Sequence, residues 1–210
     1  MIIQHAIAGA IEAGVPVNTI ILLLLLPVVA LVIAAIRNLV GIRGFGIFLP
    51  AALSVVFVAI GPLVGIGLFL LIVAVSTVVR LALRKLKIKL LYLPRMALIF
   101  WAVVVAVLAI VRFLGDVSIF AVLILILLAE DFIRVQLGKS VKTAVNLTTE
   151  TLVIALAAFL VLTFKPLQEY ALVNPEITLI AVGVLDFLLA RYSGLRLMEI
   201  WRFRKLINGK

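Results

Sequence analysis

The fold follows from residues 18–37, NTIILLLLLPVVALVIAAIR, which carry no charged side chain before Arg37. A transmembrane α-helix needs about 20 consecutive apolar residues, and this stretch has that length, with Asn18 as its expected N-cap. Of the 210 residues, 67% are hydrophobic, against about 45–50% in soluble domains. Because a soluble domain cannot hide that much apolar surface, the sequence predicts an all-α integral membrane protein.

Six further stretches have the same apolar character and are also predicted to span the membrane. The short loops between them make sequential helices antiparallel neighbours. We therefore predict a seven-transmembrane-helix bundle over residues 15–192, preceded by a short amphipathic interfacial helix in residues 1–14. Residues 193–210 are predicted to form a basic cytoplasmic amphipathic tail. The six further spans are 47–60, 63–84, 94–113, 117–134, 143–164 and 176–191.

Positive charge is distributed unevenly over this arrangement. Of the 19 Lys and Arg residues, 17 fall on one side and only Arg112 and Lys165 on the other. Cytoplasmic loops carry such an excess, so we expect the N-terminus outside and the C-terminus in the cytoplasm. The basic face is expected to meet anionic phospholipids rather than nucleic acid. The candidate lipid- or partner-binding residues are Lys85, Lys87, Lys89, Arg202, Arg204 and Lys205.

The sequence lacks the residues that most enzymes use. There is no Cys, so there is no thiolate nucleophile or disulfide, and the single His5 cannot build a His-based metal site or a Ser-His triad. A retinal Schiff base is excluded because the seventh predicted span contains no Lys. The separated acids Glu150 and Asp186 are the remaining candidates for an intramembrane dyad. We expect no catalytic residues, no cofactor and no metal, and hence no enzyme.

Polar side chains inside the predicted spans concentrate in the cytoplasmic half. Thr143, Asn146 and Glu150 share one helical face, and Arg134 follows Glu130 at the i+4 position. Intramembrane charges are costly and mark functional sites. No polar path crosses the membrane, which argues against a simple ion channel. The residues predicted to form one intramembrane network are Arg43, Glu130, Asp131, Asn146, Glu150, Asp186 and Arg191.

Three interpretations of this network stay open. It could be a structural ion-pair network, a cytoplasm-facing site for an anionic ligand or partner, or a proton- or ion-coupled transport site. Arg43 has two interpretations of its own, because it lies among the glycines of the first cytoplasmic connection. It could reach lipid phosphates, or the glycines could let the backbone dip into the bundle and bring Arg43 to an internal carboxylate.

Four stretches carry a resemblance to a known family: GIRGFGIFLP at 41–50, YLPR at 92–95, AEDF at 129–132 and RYSGLRLMEIWRFR at 191–204. In their order and spacing, the chain resembles the seven-transmembrane domain fused to an inactive transglutaminase-like domain in bacterial membrane proteins. It departs from the family pattern at Gly44 and near Ile47, where Thr is more common. The resemblance implies these family-motif positions: Gly41, Arg43, Phe45, Gly46, Pro50, Pro94, Arg95, Glu130, Arg191, Gly194, Arg196 and Glu199.

The resemblance also implies a location and a role. Its members are bacterial membrane proteins, thought to be sensors or accessory proteins and often paired with a cytoplasmic ATP-grasp ligase. We expect this chain in the bacterial inner membrane. Their transglutaminase-like domain usually lies outside the membrane before the helices, where this chain has only about 17 residues. We expect that extracytoplasmic domain to be absent, left out or a separate chain.

The predicted function combines the basic face with this resemblance. We expect a non-enzymatic, receptor-like or scaffold subunit that recruits a cytoplasmic partner, such as an ATP-grasp ligase, through its basic inner face. The alternative is a small transporter or flippase-like exporter that uses the polar network on the cytoplasmic side.

Overall fold

The structure is a computed structural model that describes residues 2–85, 91–114, 118–138, 141–192, 194, 197 and 198. Of the described chain, 89% is helical and none is β-strand, so the predicted all-α class is confirmed. The α-helices of the described residues are α1 (Ile2–Glu12), α2 (Val17–Ala35), α3 (Phe48–Ile60), α4 (Pro62–Lys85), α5 (Tyr92–Leu114), α6 (Ile119–Gly138), α7 (Val141–Thr163), α8 (Lys165–Val173) and α9 (Pro175–Ala190).

Helices α2 to α7 and α9 correspond to the seven predicted spans, with ends that differ by a few residues. The first differs at both ends. It begins at Val17, directly after Pro16, and no side chain caps it, so the N-cap expected at Asn18 is wrong. At its other end the α-helix changes into a π-helical turn, Ile36–Val40, which ends at Gly41 with a φ of 94°. Glycine adopts this left-handed conformation without steric cost, so the chain can turn away here.

Helix α8 has no counterpart among the predicted spans, because its residues fall in a predicted outer loop. It has nine residues, a length of about 14 Å, which is too short to cross a membrane. Between α8 and α9 the chain bends by 109°. Pro175 opens α9, and a proline disfavours helical geometry in the residue before it. Asn174 therefore ends one helix and precedes the next.

Four helical segments of the described chain are long and apolar enough to cross a membrane: Val17–Val40, Pro62–Leu83, Tyr92–Ile110 and Lys142–Thr163. The α8–α9 pair adds a fifth if the two count as one broken span. The two remaining predicted spans, α3 and α6, differ from a long, uncharged membrane-spanning helix for different reasons. Helix α3 has 13 residues, about 20 Å against a hydrocarbon core of about 30 Å, and α6 carries three charges near its end. The protein is therefore an integral membrane protein.

The described chain forms two compact units. The first comprises Met1–Val55 and the chain from Val153 onward, and the second comprises Val56–Leu152. In the first unit, α2 packs against α8 and α9. The buried face of α2 includes Leu25, Val29 and Ile33, which repeat every four residues and are fully buried. This i, i+4 repeat places the three side chains on one face of the helix.

The helix expected at the N-terminus is α1, and it lies against the start of α9. The backbone N–H of Ile3 donates a hydrogen bond to Oε1 of Glu176 at 3.2 Å. The side-chain amide of Gln4 donates to the carbonyl of Val173 at 3.0 Å. A short connection then leads from α1 into α2.

In the second unit, α4 packs against both α5 and α6. Helix α3 leads into α4 through Gly61, which has a φ of 82°. One turn into α4, a Cβ built on Gly65 would lie 2.7 Å from Cδ1 of Phe57. Phe57 is fully buried. Gly65 is therefore required for close packing on Phe57, whereas Gly67 is exposed and a Cβ there would meet nothing within 4 Å.

We expect Gly65→Ala to lower the free energy of unfolding by about 1–3 kcal/mol, the usual cost of overpacking a core. The measurement is thermal unfolding of the purified protein in mild detergent, followed by circular dichroism. Gly67→Ala is the matched control on the same helix, and it should be neutral or stabilising by about 0.5–1 kcal/mol, because alanine favours the helix. Equal stability of the two variants would contradict the contact with Phe57.

Candidate functional site

The seven residues of the predicted intramembrane network fall in both units. Three belong to the first unit: Arg43, Asp186 and Arg191. Four belong to the second unit: Glu130, Asp131, Asn146 and Glu150. A single network that joins all seven stays a prediction. The first unit has a cation–aromatic contact at Arg191, whereas the second has hydrogen bonds and ion pairs around Glu130.

The three first-unit residues lie near helix ends. Arg43 is exposed in the irregular segment between α2 and α3, and Asp186 is half-buried on α9. Arg191 is exposed directly after α9, and its guanidinium carbon lies 5.9 Å from the centroid of the Phe187 ring. A cation over an aromatic face is attracted by the ring quadrupole. Within the described residues, none of the ion pairs involves these three side chains.

In the second unit, Glu130 on α6 is the centre of a polar cluster. Its Oε1 accepts hydrogen bonds from Tyr92 Oη at 2.8 Å and from Arg134 Nη2 at 2.9 Å. Arg134 Nη1 also lies 3.4 Å from Oδ1 of Asp131. The i+4 pairing of Glu130 with Arg134 is therefore confirmed. We call Tyr92, Glu130, Asp131 and Arg134 the Glu130 cluster.

The Glu130 cluster joins two of the stretches that carry the family resemblance. Tyr92 opens the stretch YLPR at the start of α5, and Glu130 belongs to the stretch AEDF near the end of α6. Sequence reasoning selected Glu130 but missed Tyr92. Tyr92 follows a basic stretch and directly precedes a predicted span, where tyrosine commonly marks the membrane–water interface. The sequence therefore allows an interfacial position to be predicted for Tyr92. It does not identify Glu130 as the partner, because the two residues are separated by 38 positions.

A cavity of about 280 Å³ lies beside this cluster, between α4, α5 and α6. Its described lining contains two polar residues, Ser76 and Glu130. Ser76 is almost fully buried, with 1% of its surface exposed, whereas Ala97 and Phe100 are exposed and mark the mouth of the cavity. The apolar lining residues are Met96, Ala97, Ile99, Phe100, Ile126, Ala129 and Ile133. The site thus combines an apolar cavity with one carboxylate and one hydroxyl.

Helix α7 carries the other polar feature of the second unit. Oε2 of Glu150 and Oγ1 of Thr148 are both buried without a hydrogen-bond partner in the described structure. The neighbouring hydroxyl of Thr151 instead donates to the carbonyl of Leu147 at 2.7 Å. Asn146, predicted to share the face of Glu150, is exposed. A buried polar group without a partner is destabilising and calls for an explanation, such as a ligand or proton that completes it.

The other predicted positions have varied surroundings. Phe45 and Pro50 are buried, whereas Gly46, Lys85 and Gly194 are exposed. Pro94 and Arg95 lie in the first turn of α5, where Pro94 is exposed and Arg95 is half-buried. Within the described chain, no group of three or more His, Asp or Glu residues could hold a metal ion. The predicted positions outside the described residues are Lys87, Lys89, Arg196, Glu199, Arg202, Arg204 and Lys205.

The helices and the Glu130 cluster define a class of protein, an α-helical integral membrane protein with a polar cluster that joins two of its helices. The model of a family described as seven transmembrane helices usually fused to an inactive transglutaminase matches residues 15–207. The chain belongs to this family, so the resemblance noted in the sequence is confirmed. The match begins after α1. No curated protein and no solved structure matches the chain.

We expect Tyr92→Phe to lower the free energy of unfolding by about 0.5–1.5 kcal/mol, because it removes the hydrogen bond to Glu130. In a Glu130→Ala background the same change should cost nothing further, and this double-mutant cycle in detergent isolates the contact. Tyr170→Phe, at an exposed tyrosine on α8, is the matched control and should be neutral. An equal cost of Tyr92→Phe in both backgrounds would show that the hydroxyl does not act through Glu130.

Proposed function

We propose that this protein is a non-enzymatic, receptor-like or scaffold subunit of the bacterial inner membrane. Its N-terminus lies outside, its C-terminus lies in the cytoplasm, and its basic inner face recruits a cytoplasmic partner. The candidate partner is an ATP-grasp ligase, which is suggested by the family resemblance. Anionic phospholipids would occupy the parts of the same face that the partner does not cover.

The observation that carries the proposal is the uneven distribution of positive charge along the chain. If the seven predicted spans all cross the membrane, 17 of the 19 Lys and Arg residues lie on one side. Such an asymmetry supports a cytoplasmic location for that side.

The basic tail is expected to be required for recruitment. In a mild-detergent purification from native membranes, we expect a stoichiometric soluble partner that is lost from the Arg202→Gln/Arg204→Gln variant. The reason is that the partner's acidic surface would lose two of its cationic contacts. Mass spectrometry of the co-eluting proteins makes the measurement. Arg112→Gln/Lys165→Gln removes the same number of cations from the predicted outer side and is the matched control.

Recruitment is contradicted if the wild-type protein purifies without a partner, or if both double variants lose it equally. Orientation is checked separately, because the chain has no Cys and single cysteines can be labelled without background. Ser118 and Gly46 are both exposed. A membrane-impermeant maleimide added to spheroplasts should label the Ser118→Cys variant, and it should label the Gly46→Cys variant only after permeabilisation. The reverse pattern would exclude an inner basic face.

The unpartnered oxygens on α7 favour a second candidate function, a small transporter or flippase-like exporter. A buried carboxylate oxygen without a partner can accept a hydrogen bond from a polar headgroup during translocation. We expect liposomes that contain the purified protein to expose inner-leaflet NBD-phospholipid to dithionite. Glu150→Gln should abolish this exposure, and Glu169→Gln, at an exposed carboxylate on α8, should retain it. Equal exposure in protein-free liposomes would remove this candidate.

A further inference from the structure

We propose that the cavity between α4, α5 and α6 binds a lipophilic amine, a molecule with a hydrocarbon chain and a protonated amino headgroup. The chain would occupy the apolar part of the cavity, and the ammonium would contact Glu130 and Ser76. This ligand site goes beyond the recruitment of a cytoplasmic partner. It rests only on contacts within the second unit, so it stands or falls independently of the basic face.

The size and lining of the cavity fit a hydrocarbon chain. Its volume of about 280 Å³ lies near the lower end of small-molecule sites, about 300 Å³. A dry apolar cavity of about 150 Å³ already takes up benzene. Seven of the nine described lining residues are apolar, and Met96 and Phe100 offer adaptable and aromatic surfaces. A hydrocarbon chain that enters at the exposed Ala97 and Phe100 would exchange its contacts with lipid for contacts with the apolar lining of the cavity.

The charge of the lining selects the headgroup. Glu130 is the one charged residue among the described residues of the lining, and it is an anion. Arg134 pairs with it from outside that lining and also faces Asp131. The Glu130 cluster therefore holds two carboxylates against one guanidinium. A cationic headgroup is attracted to this arrangement, whereas a phosphate or carboxylate headgroup would meet Glu130 as a like charge.

Glu130 also has acceptor capacity to spare. Both hydrogen bonds that it receives within the described chain, from Tyr92 and Arg134, end on Oε1. An ionised carboxylate offers about four lone-pair positions over its two oxygens, so Oε2 can accept from an ammonium. Tyr92 and Arg134 fix the carboxylate before the ligand arrives, which lowers the ordering cost of binding. Ser76 adds a hydroxyl that can accept a second N–H.

The test uses the full-length protein in phosphatidylcholine nanodiscs and two photoreactive probes. One is dodecylamine with a diazirine on its chain, and the other is the corresponding dodecanol. After irradiation, mass spectrometry quantifies labelling of α5 around Met96 and of α6 around Glu130. We expect the amine to label these segments about tenfold more strongly than the alcohol, the effect of one charge-assisted hydrogen bond. This comparison needs no variant and therefore no assumption about folding.

Variants then assign the two parts of the ligand. Glu130→Gln should lower amine labelling about tenfold and leave alcohol labelling unchanged. Asp131→Asn removes the neighbouring carboxylate, which does not line the cavity, and should cause a clearly smaller loss. Ala97→Trp should fill the cavity and suppress both probes. Ala109→Trp, at an exposed position on the same helix, is the matched control and should suppress neither.

Three outcomes would overturn the proposal: equal labelling by amine and alcohol, unchanged labelling in Ala97→Trp, or an equal loss in Glu130→Gln and Asp131→Asn. Competition distinguishes two sources of the same chemistry. Displacement of the probe by phosphatidylethanolamine added to the nanodiscs would identify the amino group of a membrane phospholipid. Displacement by unlabelled dodecylamine alone would identify a free lipophilic amine. Either result supports recognition of an amino headgroup on a hydrocarbon chain.

Discussion

The structure depends on one constraint, the cost of leaving a backbone N–H or C=O without a hydrogen bond in lipid. Helices meet this constraint along their length, so the critical places are the breaks between them. At three breaks in the described chain, a backbone amide donates a hydrogen bond to the preceding turn. Gly41 donates to the carbonyl of Ile36 at 3.1 Å, Gly61 to Phe57 at 2.9 Å, and Asn174 to Tyr170 at 2.9 Å. Glycine provides the positive φ at two of these breaks, so the chain can turn without leaving these amides unpaired.

The same constraint applies to polar side chains, and it separates those that have a hydrogen-bond partner from those that do not. Several hydroxyls inside the helices donate back to their own helix, as Ser54 does to Ala51 at 2.6 Å and Thr178 does to Asn174 at 2.9 Å. Such bonds satisfy the hydroxyl within its own helix, so that it needs no partner elsewhere. Glu150 differs, because a carboxylate only accepts and its own helix has no spare backbone N–H. Beside the satisfied hydroxyls, the unpartnered Oε2 of Glu150 and Oγ1 of Thr148 are features that packing alone does not explain.

Sequence reasoning succeeded where a property is local. Apolar runs predicted seven of the helices, including the short α3, and the i+4 spacing predicted the pair of Glu130 and Arg134. It failed where structure depends on what a segment packs against. Helix α8 is too polar and too short to be recognised as a span, and it is stabilised by packing on α2. The contact of Tyr92 with Glu130 was invisible for the same reason, since only the packing of the helices brings these residues together.

The depth of Glu130 determines how its site can be reached. The apolar part of α6 before it, Ile119–Ala129, has 11 residues, about 16 Å of a hydrocarbon core of about 30 Å. If α6 crosses the membrane with Ile119 at one face of the hydrocarbon core, Glu130 would lie about 16 Å inside that core. Tyr92 and Arg134 combine an apolar body with a polar tip, so both can reach the carboxylate from the interface above it. Because Tyr92 and Arg134 occupy the interfacial side, a ligand would reach Glu130 through the cavity, from the hydrocarbon side. An amphiphile would insert its chain into the cavity first, and its headgroup would then contact Glu130 from within the leaflet.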